Sequence, residues 1–321
     1  MTLLSLSLAA CSGADGGGDV PSASVPVAFS ALAGWDGDNA AGTGGTRQTE
    51  NSNSTRLAEN SDGKTVFGSD DRIGVFAYYN DSSTPDFMNN QEVAYDGTAW
   101  TYSPVKYWPT NVGDKLTFYA YRPYSDNSNN AAVKLGTNNG KPLLTFNCPD
   151  ANIDLIAAKE SGVTLSSNGG TVPLGFKHLL GKLMFTFSHK GHNDPVIHAL
   201  KYEIPYKGEY NFKMPVSWSS IDDAKCELLR LTNESEGRVI NESGITIDEF
   251  TAYLLPCTIS KMSLLINNVF VDFSPTPAIN ILPGKQYTIN IVISGDDNEH
   301  VFITSYSLWD SDGNIYTGKL K

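Results

Sequence analysis

Short stretches of alternating apolar and polar residues recur along the chain, separated by clusters of Gly, Pro, Asn, Asp and Ser. Residues 287–294 keep this period best. Tyr287, Ile289, Ile291 and Ile293 fall on one side and Thr288, Asn290 and Ser294 on the other, directly after a Pro283-Gly284 turn. A period of two is that of a strand with one buried face. The same reading predicts strands over residues 72–79, 115–121, 143–146, 183–188, 251–256, 262–266 and 268–273, with a hairpin around Asp96-Gly97. Residues 153–159 read as one or two turns of helix, and the Ser/Asn/Gly cluster at 166–170 as a break between two units. Two β-sandwich domains in tandem are the simplest architecture. The division it suggests is 57–176 for the first and 177–321 for the second.

Ahead of these strands, Val25, Val27, Phe29 and Ala31 alternate with Pro26, Ala28 and Ser30, which predicts a strand over residues 25–33. Residues 36–56 follow, with Ala40 and Ala41 as their only apolar members and Arg47 and Arg56 as their only cations. So little apolar surface cannot offset ordering entropy, so a long, exposed loop is expected there. Near the other end, Phe302, Thr304, Tyr306 and Leu308 alternate with Val301, Ile303, Ser305 and Ser307, and an Asp312-Gly313 turn leads to a second short run.

Composition narrows the class. The 321 residues carry 23 Lys+Arg against 35 Asp+Glu, a net charge of −12, which speaks against nucleic acid as the main partner. Charged residues make up 18% while Gly, Pro, Tyr and Phe are plentiful, a profile suited to a β-rich exported protein. No apolar run approaches the roughly 18 residues of a membrane-spanning helix. The first eleven residues are largely apolar and end in Leu8-Ala9-Ala10-Cys11, the pattern at which a bacterial lipoprotein precursor is cut and lipidated, although a basic n-region is missing. Cys11 is the expected lipidation site, residues 1–11 the signal peptide, and residues 12–56 a tether, first strand and loop. Cys148, Cys226 and Cys257 are then three thiols far apart in sequence, read as separate or as one 226–257 bridge.

Sequence signals for chemistry are few. There is no phosphate-binding Gly-rich loop, HExxH, nucleophile elbow or CxxC. His189, His192 and His198 read as a solvated polar turn and His178, amid apolar neighbours, as a hydrogen-bonded core residue. Asp310-Ser-Asp312-Gly-Asn314 opens like a calcium loop but has Ile315 and Lys321 where Gly and Glu are needed. No catalytic residue, metal or cofactor is assigned.

Several runs, in order, resemble the fimbrillin family of the Bacteroidales, the type V pilins. They are Thr65-Val-Phe-Gly-Ser-Asp-Asp-Arg-Ile-Gly-Val-Phe-Ala77, Tyr107-Trp-Pro109, Lys115-Leu-Thr-Phe-Tyr-Ala-Tyr121 with Pro123, Asp154-Leu155, Leu174-Gly-Phe-Lys-His-Leu-Leu-Gly-Lys-Leu183, Leu254-Leu-Pro256, Pro283-Gly-Lys-Gln-Tyr-Thr-Ile289 and Trp309. The resemblance implies an all-β fold of two transthyretin-like sandwiches and a structural role in surface fimbriae. It also implies export as an outer-membrane lipoprotein by the lipoprotein machinery, then cleavage after Arg56 or its rival Arg47 by an Arg-specific protease. That cut would release the first strand (Val25, Val27, Phe29, Ala31). The groove would then take a strand from a neighbouring subunit, with Phe302, Thr304, Tyr306 and Leu308 of the C-terminal tail as the expected donor face. Without the resemblance, the same residues describe an ordinary edge strand and a solubilising loop. A second class of function is a surface glycan-binding lipoprotein, with Trp35, Trp100, Trp108, Trp218 and Trp309 as exposed stacking platforms; two sandwich cores account for them equally well. A secreted hydrolase has no support in the sequence.

Overall fold

The computed structural model describes residues 24–35, 58–59, 65–80, 82–111, 113–148, 152–191, 194–295, 301–310 and 315–318. For residues 58–59, 168, 295, 301–310 and 315–318 it describes the backbone. The first half of the chain forms β1 (Ala28–Gly34), β2 (Arg72–Tyr79), β3 (Met88–Tyr95), β4 (Leu116–Arg122), β5 (Val133–Asn138), β6 (Lys141–Asn147), β7 (Ile156–Val163) and β8 (Thr171–His178). The second half forms β9 (Gly181–Gly191), β10 (Val196–Pro205), β11 (Lys207–Tyr210), β12 (Lys225–Leu231), β13 (Met262–Ile266), β14 (Val269–Phe273), β15 (Gln286–Gly295), β16 (Val301–Asp310) and β17 (Ile315–Gly318). The fold is all-β, as expected.

The first sheet runs β1-β8-β7-β4-β2-β3 and ends on Trp100–Thr101. Its central strands β2 and β4 bury both faces. Ile73, Val75, Leu116, Phe118, Ile156, Val172, Leu174 and Phe176 enter one core, while Phe76, Tyr78, Tyr119, Tyr121 and Ala157 enter another. Two-sided burial explains why β2 and β4 read as unbroken apolar runs instead of alternating ones. It also corrects the helix expected over 153–159. Ile156, Ala157 and Ala158 are fully buried in β7, which pairs antiparallel with β4 and β8, so the run is a central strand. The Ser/Asn/Gly cluster after it is a local turn joining neighbouring strands. Thr164 caps a one-turn helix, Leu165–Asn168, accepting from the Ser167 amide at 3.2 Å.

The second core draws in the rest of the chain. In one sheet β9 pairs parallel with β15, which pairs antiparallel with β16, and β16 with β17. The face of β15 predicted to be apolar is the buried one, with Tyr287, Ile289, Ile291 and Ile293 in the core. β9 continues to Gly191, so His189 is buried in a strand and not in the polar turn expected there; His198 lies on β10, and His192 lies outside the described residues. A further sheet runs β12-β10-β13-β14. In a fourth, β6 of the first half pairs antiparallel with β11 of the second, from Lys207↔Asn147 to Tyr210↔Leu144. Residue 176, the division expected from sequence, falls inside β8.

Candidate functional site

The alternation beginning at Val25 continues to Trp35 and places one face inward. Val27 and Phe29 are buried in the first core, with Val25, Ala31 and Ala33 packed against it, while Leu32 on the opposite face stands 55% exposed. The predicted strand over 25–33 is thus found at Ala28–Gly34, with Pro26 forming an isolated bridge to Tyr107. It runs parallel to β8, from Ala28↔Thr171 to Gly34↔Lys177, and is the terminal strand of its sheet among the described residues.

At its start the segment is held from both sides. The Val27 amide donates to Lys106 O at 2.9 Å, the Trp108 amide to Val25 O at 2.9 Å, and the Tyr102 hydroxyl to Val27 O at 2.8 Å. The Ala28 amide and Trp108 Nε1 both donate to Gly170 O, at 3.0 and 2.9 Å. Gly170 has φ +94°, and a Cβ there would lie 2.9 Å from Val25 Cγ1, so this close approach requires glycine. Phe29 packs edge-on against Phe118 at 5.9 Å and tilted against Tyr102 at 5.6 Å.

The far end is anchored differently. Trp35 is 1% exposed and belongs to the second core, not the first. Its indole stacks on the His178 ring at 3.6 Å and 5°, with Tyr253 beyond it at 6.4 Å. His178 Nδ1 lies 2.8 Å from Asp154 Oδ1, and Nε2 lies 3.0 Å from Thr65 Oγ1. The Asp154 carboxylate accepts a hydrogen bond from Nδ1–H, and Nε2 accepts from the threonine hydroxyl. All four side chains are buried, so loss of either hydrogen-bond partner would leave a polar group unsatisfied in the core. One short segment therefore plugs two cores, with Val27 and Phe29 in the first and Trp35 in the second. Burying each such side chain is worth about 1.5–3 kcal/mol.

Of the residues predicted to matter, the structure brings Val25, Val27, Phe29 and Ala31 together on the inward face of this segment. Cys11, Arg47 and Arg56 lie outside the described residues. Phe302, Thr304, Tyr306 and Leu308 fall on β16, whose backbone pairs with β15, Leu308 opposite Ile289 and Tyr306 opposite Ile291. Sequence reasoning gave Trp35, Asp154 and Tyr102 no part in holding the first strand. The signal for Trp35 was available, since it ends the same odd-numbered row as Val25. The expectation of exposed tryptophans does not hold for the four whose side chains are described. Trp35 and Trp108 are buried, and Trp100 and Trp218 are half-buried, packed against Phe67 and Phe146. Cys148 is buried, Cys226 and Cys257 half-buried, and the three form no disulfide with one another.

The sequence pattern of the fimbrillin-like family matches residues 55–306. This chain belongs to that family. A relative, fimbrium subunit Fim1C of Phocaeicola vulgatus, is 30% identical over 133 residues, covering 35% of this chain and 35% of the relative. The chain thus aligns with about a third of that protein's length. The fold is shared with a fimbrial protein of Bacteroides vulgatus solved by crystallography, at a TM-score of 0.54 and 18% identity, covering 76% of this chain and 92% of that one.

Proposed function

We propose that this chain is a structural subunit of a cell-surface fimbrium, acting in adhesion and assembled head to tail by donor-strand exchange. In this reading it consists of two tandem sandwich domains and reaches the outer membrane as a lipoprotein through Cys11. An Arg-specific protease cuts after Arg56 or Arg47, the first strand leaves, and the C-terminal tail of a neighbouring subunit refills the groove. The observation that carries the reading is the segment from Val25 to Trp35. It is a terminal strand whose apolar face fills two cores, and it is joined to the rest of the chain by a long stretch nearly devoid of apolar residues but punctuated by two arginines. Its removal would expose the β8 backbone edge along with empty apolar sites. Unsatisfied buried groups cost about 1–3 kcal/mol each, so the opened groove favours a replacement strand. A head-to-tail contact of this kind propagates as a filament instead of closing.

The test is the N-terminus of subunits sheared from the cell surface. Material beginning at Leu57 or Gln48 is expected; fimbriae whose subunits retain residues 25–35 would overturn strand removal.

A further inference from the structure

The groove left by the first strand has a definite profile along its length. From Val27 onward, the inward positions of the resident segment are Val27, Phe29, Ala31, Ala33 and Trp35. The reason for large, large, small, small, large lies in β8. Phe29 pairs with Val172, but Ala31 pairs with Leu174 and Ala33 with Phe176, and both partners are buried. Phe67 packs on Phe176 at 5.8 Å and closes the space further. The groove is therefore wide near Phe29, narrow over two residues, and ends at the His178 ring, where Trp35 stacks.

The same series occurs once more, on β16. Its odd-numbered residues are Val301, Ile303, Ser305, Ser307 and Trp309, again two branched or large side chains, two small ones and a tryptophan at the ninth place. The even-numbered series does not fit. Setting Phe302 in the place of Phe29 brings Tyr306 to that of Ala33, beside Phe176; setting it at Val27 brings Tyr306 to that of Ala31, beside Leu174. Overfilling a packed site costs about 1–3 kcal/mol or more. In the free subunit it is the even-numbered Tyr306 and Leu308 that stand opposite core residues Ile291 and Ile289 of β15, whereas Ser307 and Trp309 register with Asn290 and Thr288.

Resting on the donor-strand reading above, we propose that β16 of a second copy of this chain seats in the groove by its odd-numbered residues. Val301 takes the place of Val27, and Trp309 takes the place of Trp35 on the His178–Asp154 pair. The donor runs parallel to β8, as the resident strand does, and Trp309 sets the register because a stack on one ring tolerates no slip. The tail thus uses two different faces, one in its own subunit and one in its neighbour. This replaces Phe302, Thr304, Tyr306 and Leu308 as the donor face.

The test uses full-length chain nicked by an Arg-specific protease, with SDS-resistant polymer as the readout. Trp309→Ala and Ser307→Phe are expected to slow assembly by roughly tenfold or more, the first by losing the stack and the second by filling the narrow part of the groove. Tyr306→Ala is expected to assemble at near the unmodified rate. To separate seating from folding of the donor subunit, a synthetic peptide of residues 300–310 is titrated into the nicked subunit after its first strand has been removed. The peptide should bind, and its Trp309→Ala form should bind at least about tenfold more weakly. Assembly blocked by Tyr306→Ala but unaffected by Trp309→Ala and Ser307→Phe would overturn the register while leaving the donor strand in place. Normal assembly after deletion of residues 301–318 would overturn the donor reading itself.

Discussion

Replacing Trp35 with Ala isolates the anchor at the end of the first strand. The indole is 1% exposed, lies flat on His178 at 3.6 Å and forms part of the second core, while Val27 and Phe29 hold the other end of the same segment in the first core. Truncating a fully buried tryptophan costs about 3–5 kcal/mol, of which ring stacking accounts for roughly 0.5–1.5. For a chain of 321 residues a cooperative loss of that order lowers Tm by roughly 4–8 °C. Where the segment detaches on its own before the rest unfolds, the same energy appears as local opening. The Val27 and Ala28 amides, which donate to Lys106 O and Gly170 O, should then exchange with solvent faster than those of β4. Urea unfolding followed by circular dichroism, together with amide hydrogen exchange, measures both. Leu32→Ala is the control: it alters the same strand at a side chain 55% exposed, and should shift stability by no more than about 0.5 kcal/mol. If Trp35→Ala and Leu32→Ala are indistinguishable in both assays, the stack does not anchor the strand.

Asp154→Ala leaves the buried Nδ1–H of His178 without its acceptor and should cost about 1–3 kcal/mol in urea unfolding, whereas Asp154→Asn, which keeps an acceptor oxygen, should recover most of it. Gly170→Val places a Cβ 2.9 Å from Val25 Cγ1 at φ +94° and should loosen the start of the first strand by about 1–3 kcal/mol, read as faster exchange at Val27 and Ala28. Burial pushes the Cys257 thiol and the Tyr78 phenol each up to about 12, and raises Tyr121, Tyr202 and Tyr210 as well. Raised pKa values favour the protonated, folded form. Their contribution is therefore complete below the unfolded pKa of about 8.5 for Cys and about 10 for Tyr, and is lost as pH rises toward about 12. Urea midpoints should fall steadily above about pH 8.5, and a flat profile to about pH 11 would refute this.

The parts of the molecule legible in its sequence are those with one wet face. β15 alternates cleanly because Tyr287, Ile289, Ile291 and Ile293 are buried and the residues between them are not. The inward row of the first strand was readable for the same reason. β7 was misread because both of its faces are buried, so Ile156, Ala157 and Ala158 carry no period from which a strand could be told from a helix. The tryptophans were misjudged because nothing local distinguishes an indole destined for a core from one left at the surface. The Trp35–His178–Asp154 cluster joins three segments far apart in sequence, and the parallel direction of β1 follows from sheet order, so neither leaves a mark on any single stretch of chain.

The ladder between β6 and β11 has a mechanical consequence. Residues 144–147 of the first half are hydrogen-bonded to residues 207–210 of the second, above a core to which both halves contribute Phe146 and Tyr210. The two halves are therefore not beads on a string. Bending at the β8–β9 junction would have to part this ladder and split the shared core together, so small deflections meet a stiff elastic resistance. A pull on one half is passed to the other through this ladder and the shared core, so the two yield together.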